Sequence, residues 1–169
     1  EEERLQKALD VAYAYLNPRD RTVKEVRLRL QRRGVDDELT EAAIRILGEQ
    51  GFLDDARFAR LFVADKRQLE HWGSERIRRG LLTRGVERGL VEVALAQDDP
   101  VGAGPGEDAE RPGEEAETEL ERALAVLRRR FPDPPQDRRD RNRALGMLLR
   151  KGYESELALD ALSAYARGD

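Results

Sequence analysis

One pattern of residues occurs three times in this chain, and the repeat limits the folds that it can adopt. Each copy is marked by a basic residue followed by glycine, at Gly34, Gly85 and Gly152. Leucine stands four positions before and five positions after each glycine, and alanine stands nine positions after it. Apolar residues also occupy the positions eight before and ten after each glycine. This agreement at fixed spacing indicates a tandem repeat.

The spacing within each copy predicts two helices that meet at the glycine. Apolar residues eight and four positions before the glycine form one helical stripe, and those five, nine and ten positions after it form another. A residue just past a helix end often adopts the left-handed conformation, which glycine tolerates because it has no Cβ. The basic residue before it lies favourably near the negative end of the helix dipole. The basic-glycine pair therefore has a structural explanation without any ligand.

Breakers and capping residues give the expected helix ends. A first helix over 2–16 ends at Asn17-Pro18, because proline disfavours helix in the residue before it. Side chains that accept hydrogen bonds from the first turn are expected to begin the next four helices. The candidates are Thr22 (with Glu25 three residues later), Asp36, Asp54 and Ser74. In the fourth helix the expected core residues are Phe58, Leu69 and either Leu61 or Phe62.

We therefore predict an all-α fold, a tandem array of three three-helix repeats that is elongated and curved. The predicted repeats span residues 1–50, 51–96 and 117–169. Hydrophobic and charged residues each make up 39% of the chain, and such a thin core suits an array better than one globule. Residues 97–116 are acidic and rich in Pro and Gly, which predicts a flexible linker.

The net charge of −4 conceals a segregated distribution. Residues 19–33 carry seven basic side chains against two acids, and residues 57–88 carry nine against four. Residues 98–121 carry ten acids against one arginine. The two basic segments are either ordinary solvated helix faces or part of a binding surface.

Arginine recurs on the second helix of the first two repeats, which favours a binding surface. With Val26, Leu30, Ile77 and Leu81 facing inward, many of these side chains must point outward. Arginine binds carboxylates and phosphates bidentately, so the partner is an acidic protein surface or a nucleic-acid backbone. The predicted basic strip consists of Arg27, Arg29, Arg32, Arg33, Arg57, Arg60, Lys66, Arg67, Arg76, Arg78, Arg79 and Arg84.

The residues needed for catalysis are almost absent. The chain has no cysteine and a single histidine, His71, so thiolate and histidine-pair metal sites are excluded. The adjacent Asp54 and Asp55 are better explained as helix caps than as metal ligands. We therefore predict no catalytic residue, no metal and no cofactor. No apolar run approaches the roughly 18 residues of a membrane span, so a cytoplasmic protein is expected.

The segment from Gly51 to Ala59, GFLDDARFA, resembles the signature that joins the first two repeats of the RecX family, bacterial regulators of the RecA recombinase. The second repeat, with GSERI from Gly73 and LLTRGV ending at Val86, is similar to the same family. The third-repeat sequence LLRKGY, ending at Tyr153, is also similar. The motif residues are Gly34, Gly51, Phe52, Asp54, Asp55, Phe58, Gly85 and Gly152.

This resemblance implies a non-enzymatic regulator that binds RecA monomers and lies in the groove of the RecA–DNA filament. It implies inhibition of strand exchange, ATP hydrolysis and the co-protease activity of the SOS response. We expect a monomer. The long acidic insert departs from the family pattern.

Two other functions compete with this one. Three-helix units with a basic helix can enter a DNA groove, so direct binding to single- or double-stranded DNA is the first. The second is a helical scaffold for some other partner.

Overall fold

The structure is a computed structural model that describes residues 2–97 and 117–168. All regular secondary structure in these two ranges is helical, which confirms the predicted all-α class. The predicted linker lies outside the described residues except for Gln97. The nine helices of the described ranges are α1 (Glu2–Leu16), α2 (Val23–Arg32), α3 (Asp37–Glu49), α4 (Asp55–Gln68), α5 (Ser74–Thr83), α6 (Arg88–Ala96), α7 (Glu119–Arg130), α8 (Arg138–Lys151) and α9 (Ser155–Arg167).

Three of the four predicted helix caps are confirmed by their hydrogen bonds. Thr22 and Glu25 form a complete capping box at the start of α2. The Asp36 carboxylate accepts the amide of Leu39 at 3.0 Å and begins α3, and the carboxylate of Asp54 accepts a backbone amide from the first turn of α4. These three caps depend on neighbouring residues alone, which explains why the sequence predicts them.

The cap expected at Ser74 is one residue out of place. Ser74 is the first residue of α5, and the Ile77 amide donates to the carbonyl of Gly73, which therefore precedes the helix as its N-terminal cap.

All three repeat glycines adopt the left-handed conformation that the sequence predicts. Their φ angles are 76° at Gly34, 83° at Gly85 and 95° at Gly152. We call each of these glycines, together with the basic residue before it, a glycine corner: Arg33-Gly34, Arg84-Gly85 and Lys151-Gly152.

The predicted inner stripes of the second helices are buried. The residues eight and four positions before each glycine are fully buried in all three repeats, and the alanine nine positions after it is buried too. In α4 the expected core residue Leu69 and the alternative Leu61 are wrong, because they are 73% and 40% exposed. Ala59 and Val63 are the buried pair instead, and Phe58 and Phe62 are half-buried.

The chain divides into two compact units that do not follow the repeat boundaries. The first unit contains residues 1–60 and 80–94, and its α1, α2 and α3 pack around a core that includes Ala12, Leu30 and Leu47. The second unit contains residues 61–79 and 95–169. Its α7, α8 and α9 pack around a core that includes Leu127, Leu148 and Tyr165.

Within the first unit, the start of α2 lies against the glycine corner of the second repeat. We call this the first inter-repeat contact. The Thr22 hydroxyl donates to the Arg84 carbonyl at 2.6 Å, and the Val23 amide donates to the Asp55 carboxylate at 3.0 Å. The aliphatic part of Lys24 covers Gly85, where an added Cβ would lie 2.5 Å from the Lys24 Cβ.

Within the second unit, the start of α5 lies against the glycine corner of the third repeat. We call this the second inter-repeat contact. The Gly73 amide donates to the Lys151 carbonyl at 2.8 Å, and the Glu75 amide donates to the Gly152 carbonyl at 3.0 Å. The Ser74 amide donates to the Glu119 carboxylate at 2.6 Å. Two of the three glycine corners therefore hold neighbouring repeats together, in addition to turning the chain.

Candidate functional site

The α2 arginines of the predicted basic strip are partly engaged inside the first unit. Arg27 forms a bidentate pair with Glu41 of α3, at 2.7 and 3.1 Å. That hydrogen-bonded pairing raises the pKa of Arg27 and lowers the pKa of Glu41. The guanidinium groups of Arg21 and Arg29 lie over the Tyr15 ring, 4.2 and 5.3 Å from its centroid. These side chains join α2 to the helices beside it, so Arg27 and Arg29 are held in place.

Two further strip residues of the first unit serve the repeat structure. Arg84 pairs with the half-buried Glu25 at 3.0 Å, next to the first inter-repeat contact. Arg57 donates to the Gly51 carbonyl at 3.1 Å and so holds the turn before α4.

In the second unit, two strip residues lie over one aromatic ring. Arg76 lies 4.0 Å and Lys66 lies 5.0 Å from the centroid of the Trp72 ring. Arg76 also donates to the Arg150 carbonyl at 3.2 Å, while Arg67 donates to the Leu95 carbonyl at 3.0 Å. Arg78 pairs with Glu75 one helical turn away. A cation stacked on an aromatic ring is held by both desolvation and the ring quadrupole.

Four strip residues remain exposed with no described side chain or carbonyl bound to them. Seven of the twelve strip residues belong to the first unit and five to the second. A strip that continues from one repeat to the next remains a prediction. The four exposed residues are Arg32, Arg33, Arg60 and Arg79.

Four residues of the motif between Gly51 and Ala59 have structural roles. Gly51 has a φ of 79°, so it too adopts the left-handed conformation. The Phe52 ring is 48% exposed and lies edge-on to Tyr13, with centroids 5.3 Å apart. Asp54 caps α4, while Asp55 reaches α2.

Asp55 is the most perturbed acid of the first inter-repeat contact. Burial raises the pKa of its carboxyl, and repulsion from Asp54 and Glu25 raises it further. The hydrogen bond from the Val23 amide opposes these effects. Asp55 therefore has a structural task beyond the capping role that the sequence suggests.

A further exposed basic region lies in the third repeat, which contributes no residue to the predicted basic strip. Residues 128–143 carry seven arginines against three aspartates, and charge counting over this segment would have found them. They lie at the end of α7 and the start of α8, and all seven are exposed. The exposed set is Arg128, Arg129, Arg130, Arg138, Arg139, Arg141 and Arg143.

His71 lies in the turn before α5 with a φ of 54°, which is rare for a residue with a side chain. The Tyr153 hydroxyl donates to its carbonyl at 3.1 Å, and its Nε2 contacts the Arg129 guanidinium at 2.6 Å. These contacts hold His71 in the turn before α5, so it has a structural role there. No group of three potential metal ligands comes together anywhere in residues 2–97 and 117–168.

Comparison with protein-family models matches all three repeats in order. Residues 8–45 match "RecX, first three-helix domain", residues 54–95 match the second such domain, and residues 117–162 match the third. The chain belongs to the RecX family. The tandem order of the three domain matches also confirms the predicted array of three three-helix repeats.

Relatives from several bacteria agree with this assignment. The regulatory protein RecX of Halorhodospira halophila is 32% identical over 162 residues, which cover 95% of this chain and 89% of the relative. That of Amycolatopsis mediterranei is 30% identical over 98% of this chain and 87% of the relative. That of Lactobacillus delbrueckii is 40% identical over 90 residues, so the match spans only 33% of that longer relative.

Solved RecX structures share the fold. The crystal structure of RecX from Lactobacillus salivarius has a TM-score of 0.77, with full coverage of both chains and 19% sequence identity. A second crystal structure, of a regulatory protein RecX, has a TM-score of 0.70 and 21% identity, and the match covers 98% of this chain and 72% of that one.

No helix of the described ranges is both long and apolar enough to cross a membrane.

Proposed function

We propose that this chain binds the RecA recombinase, both as a monomer and in its DNA-bound filament, and inhibits strand exchange, ATP hydrolysis and co-protease activity. The observation that carries the proposal is the similarity to RecX regulatory proteins over nearly the whole chain. This function places the protein in the bacterial cytoplasm, as a negative modulator of DNA repair, recombination and the SOS response. It assigns the chain no catalytic step of its own.

The exposed arginines are the part of the predicted basic strip that is free to meet such a partner. Arg32, Arg33, Arg60 and Arg79 are exposed, and arginine recognises both carboxylates and phosphates through its planar donor fork. Other strip residues, such as Arg27 and Arg84, act indirectly in this proposal because they hold the second helices in place. In this proposal, fewer strip residues contact the groove of the RecA filament than the twelve that the sequence predicts.

The test compares two double variants that change the charge equally. Arg60→Glu with Arg79→Glu removes exposed strip residues, while Arg45→Glu with Arg88→Glu changes exposed arginines outside the strip. Co-sedimentation with preformed RecA filaments on single-stranded DNA, and inhibition of their ATPase, are the measurements. We expect the first variant to need about tenfold more protein for half-inhibition, and the second to resemble the wild type.

RecA binding and the role of the basic strip can be contradicted separately. If the unmodified chain neither sedimented with filaments nor slowed their ATPase, binding to RecA would be wrong. If both double variants inhibited as well as the wild type, RecA binding would stand but the basic strip would be wrong. Circular dichroism of each variant checks that the helices remain intact.

Direct binding to DNA is the second candidate, and the exposed arginines of the third repeat are the observation that favours it. Arg141 and Arg143 lie on α8 and are exposed, as a phosphate-binding surface requires. Fluorescence anisotropy on labelled single- and double-stranded DNA, without RecA, measures this activity. A steep fall in affinity with salt, lost in the variant Arg141→Glu with Arg143→Glu, would support it. Affinity that is unchanged in this variant would exclude the surface.

A further inference from the structure

The two inter-repeat contacts use the same three elements, although their side chains differ. In each, the backbone amide of the first residue of a second helix donates to an acid. That acid is the first residue of the next repeat's first helix, Asp55 of α4 or Glu119 of α7. In each, the carbonyl before the corner glycine accepts a hydrogen bond from the residue that precedes the second helix. In each, atoms from the preceding repeat cover the glycine.

The first glycine corner offers the same elements, but nothing in the described ranges occupies it. No described atom lies within 4 Å of the point where a Cβ on Gly34 would stand. No described group donates to the Arg33 carbonyl, whereas the carbonyls of Arg84 and Lys151 both accept hydrogen bonds. The first helix of this repeat, α1, also begins with an exposed acid, Glu2.

The start of α8 corresponds to the starts of α2 and α5, but no glycine corner lies against it in the described ranges. The starts of α2 and α5 each lie against the glycine corner of the following repeat. Nothing in the described ranges accepts the backbone amide of Arg138, the first residue of α8, and Arg138 and Arg139 are exposed. With 14 residues α8 is longer than α2 and α5, which have 10, so its start extends about one turn further from its own glycine. The described residues thus contain one unoccupied corner and one unengaged helix start.

The net charges around these two elements have opposite signs. Residues 32–38, at the first glycine corner, carry three acids against Arg32 and Arg33, and α1 adds Glu2 and Glu3 in its first turn, although Asp36 is already paired with Arg4. The start of α8, residues 137–143, carries four exposed arginines against two aspartates: Arg138, Arg139, Arg141 and Arg143 against Asp137 and Asp140. Such an arrangement steers two surfaces together and fixes their register more than it adds affinity.

We propose that the start of α8 binds the first glycine corner of a second copy of this chain, so that copies associate head to tail. The contact is heterologous: the two surfaces are different, so a pair of copies retains one free corner on one copy and one free helix start on the other. It is also small, since it repeats a contact of two or three hydrogen bonds, far below the area that a stable dimer needs. Dilute protein is therefore monomeric, and association occurs where copies are concentrated side by side.

Disulfide cross-linking in the full chain tests this proposal, because the chain has no cysteine of its own. Arg33→Cys and Arg139→Cys place single thiols at the exposed corner and at the exposed helix start. The two purified variants, one carrying a mass tag, are mixed in equal amounts and oxidised. We expect a mixed dimer to form at least about tenfold faster than in a control mixture of Arg45→Cys and Arg139→Cys, because docking raises the local thiol concentration.

The double variant Arg33→Cys with Arg139→Cys distinguishes a contact between copies from a contact within one chain. If the proposal holds, oxidation gives a ladder of oligomers whose yield rises with protein concentration. An intramolecular disulfide independent of concentration would overturn it, since the helix start would then meet its own chain. Equal rates in the test and control mixtures would also overturn it.

A charge exchange tests the register of the contact independently. Arg138→Glu in the Arg139→Cys variant should slow the mixed cross-link several-fold, and so should Asp37→Arg in the Arg33→Cys variant. Combining the two changed partners should restore the rate, because opposite charges then face each other across the contact again, with the signs exchanged. Failure of this rescue would contradict the proposed register. No step uses RecA or DNA, so the result is independent of the proposed function.

Discussion

The two inter-repeat contacts place the same elements together by different chemistry. In the first, side chains connect the start of α2 to the glycine corner of the second repeat: the Thr22 hydroxyl, the aliphatic part of Lys24 and the ion pair of Glu25 with Arg84. In the second, backbone amides donate directly to the carbonyls of Lys151 and Gly152. The difference follows from one position, twelve residues before the corner glycine, which is threonine in the first repeat and glycine in the second.

This comparison indicates how the repeats tolerate sequence change. A threonine keeps two backbones apart and bridges them with its hydroxyl, whereas a glycine lets them touch. The first contact should therefore be sensitive to the loss of side-chain groups, and the second to the addition of a Cβ.

Adding a Cβ at the second contact should have the largest effect. In Gly73→Ala the new atom would lie 2.5 Å from the Gly152 carbonyl carbon, and in Gly152→Ala it would lie 2.6 Å from the Arg76 backbone nitrogen. Backbone cannot move aside easily, so each change should lower the free energy of unfolding by about 3 kcal/mol or more. Guanidinium unfolding followed by circular dichroism measures it.

Gly34→Ala is the matched control for these variants. It has a comparable left-handed conformation, with a φ of 76°, but no described atom near the new Cβ. Only the conformational strain remains, about 1–2 kcal/mol. If Gly34→Ala were as destabilising as Gly152→Ala, strain rather than the contact would explain both.

Removing the hydroxyl at the first contact should have the next largest effect. Thr22→Val keeps the shape of a fully buried side chain, but it loses the helix cap and leaves the Arg84 carbonyl without a donor. We expect a loss of about 2–3 kcal/mol. Thr118→Val removes an equivalent capping box at α7 that makes no inter-repeat hydrogen bond, and should cost about 1 kcal/mol. Equal losses in the two variants would show that Thr22 acts only as a cap.

One side-chain hydrogen bond in the second contact should have a smaller effect. Tyr153 is buried, and its hydroxyl donates to the carbonyl of His71. Burial raises its pKa to about 12, so the hydroxyl stays protonated near neutral pH. Tyr153→Phe should lower the free energy of unfolding by about 1 kcal/mol. Tyr13→Phe serves as the control, because Tyr13 is half-buried and its hydroxyl donates to the side chain of Gln50, which is exposed. A loss as large there would argue against a specific role for Tyr153.

The smallest effect should be a pH dependence in the first contact. Because burial raises the pKa of Asp55, its stabilising contribution is complete below the ordinary value of 3.8 and is lost as the pH rises through the raised value. Asp55→Asn keeps an oxygen that can accept the Val23 amide and has no charge to desolvate. The variant should therefore gain stability relative to the wild type between acidic and neutral pH. A difference that does not change with pH would contradict this account.

The local features of the fold were predictable because each depends on residues close in the sequence. Thr22 and Glu25 form their capping box within one turn, and Asp36 and Asp54 cap the helices that follow them directly. The glycine at the end of each second helix is left-handed for an equally local reason. The buried face of α4 was harder to predict. The sequence pattern favoured Leu69 and either Leu61 or Phe62 as core residues, whereas Ala59 and Val63 are the buried pair.

The arginines show the same limit at the candidate site. Their helix and spacing were evident from the sequence, but Arg27 meets Glu41 on another helix and Arg76 lies over Trp72. Among the twelve strip residues, only Arg32, Arg33, Arg60 and Arg79 are left exposed without such contacts in the described ranges. The acid or ring that engages a long side chain is chosen by packing, and periodicity on one helix does not reveal it.

The helices, most of their caps, the repeat and the family follow from the amino-acid sequence alone. The packing of the helices makes two of the glycine corners contacts between repeats, and it leaves the first corner with no covering atom among the described residues. Thr22 meets Arg84 across 62 residues, and Arg76 meets Arg150 across 74. Helix ends are set by hydrogen bonds within one turn, whereas contacts over such separations depend on how whole helices pack.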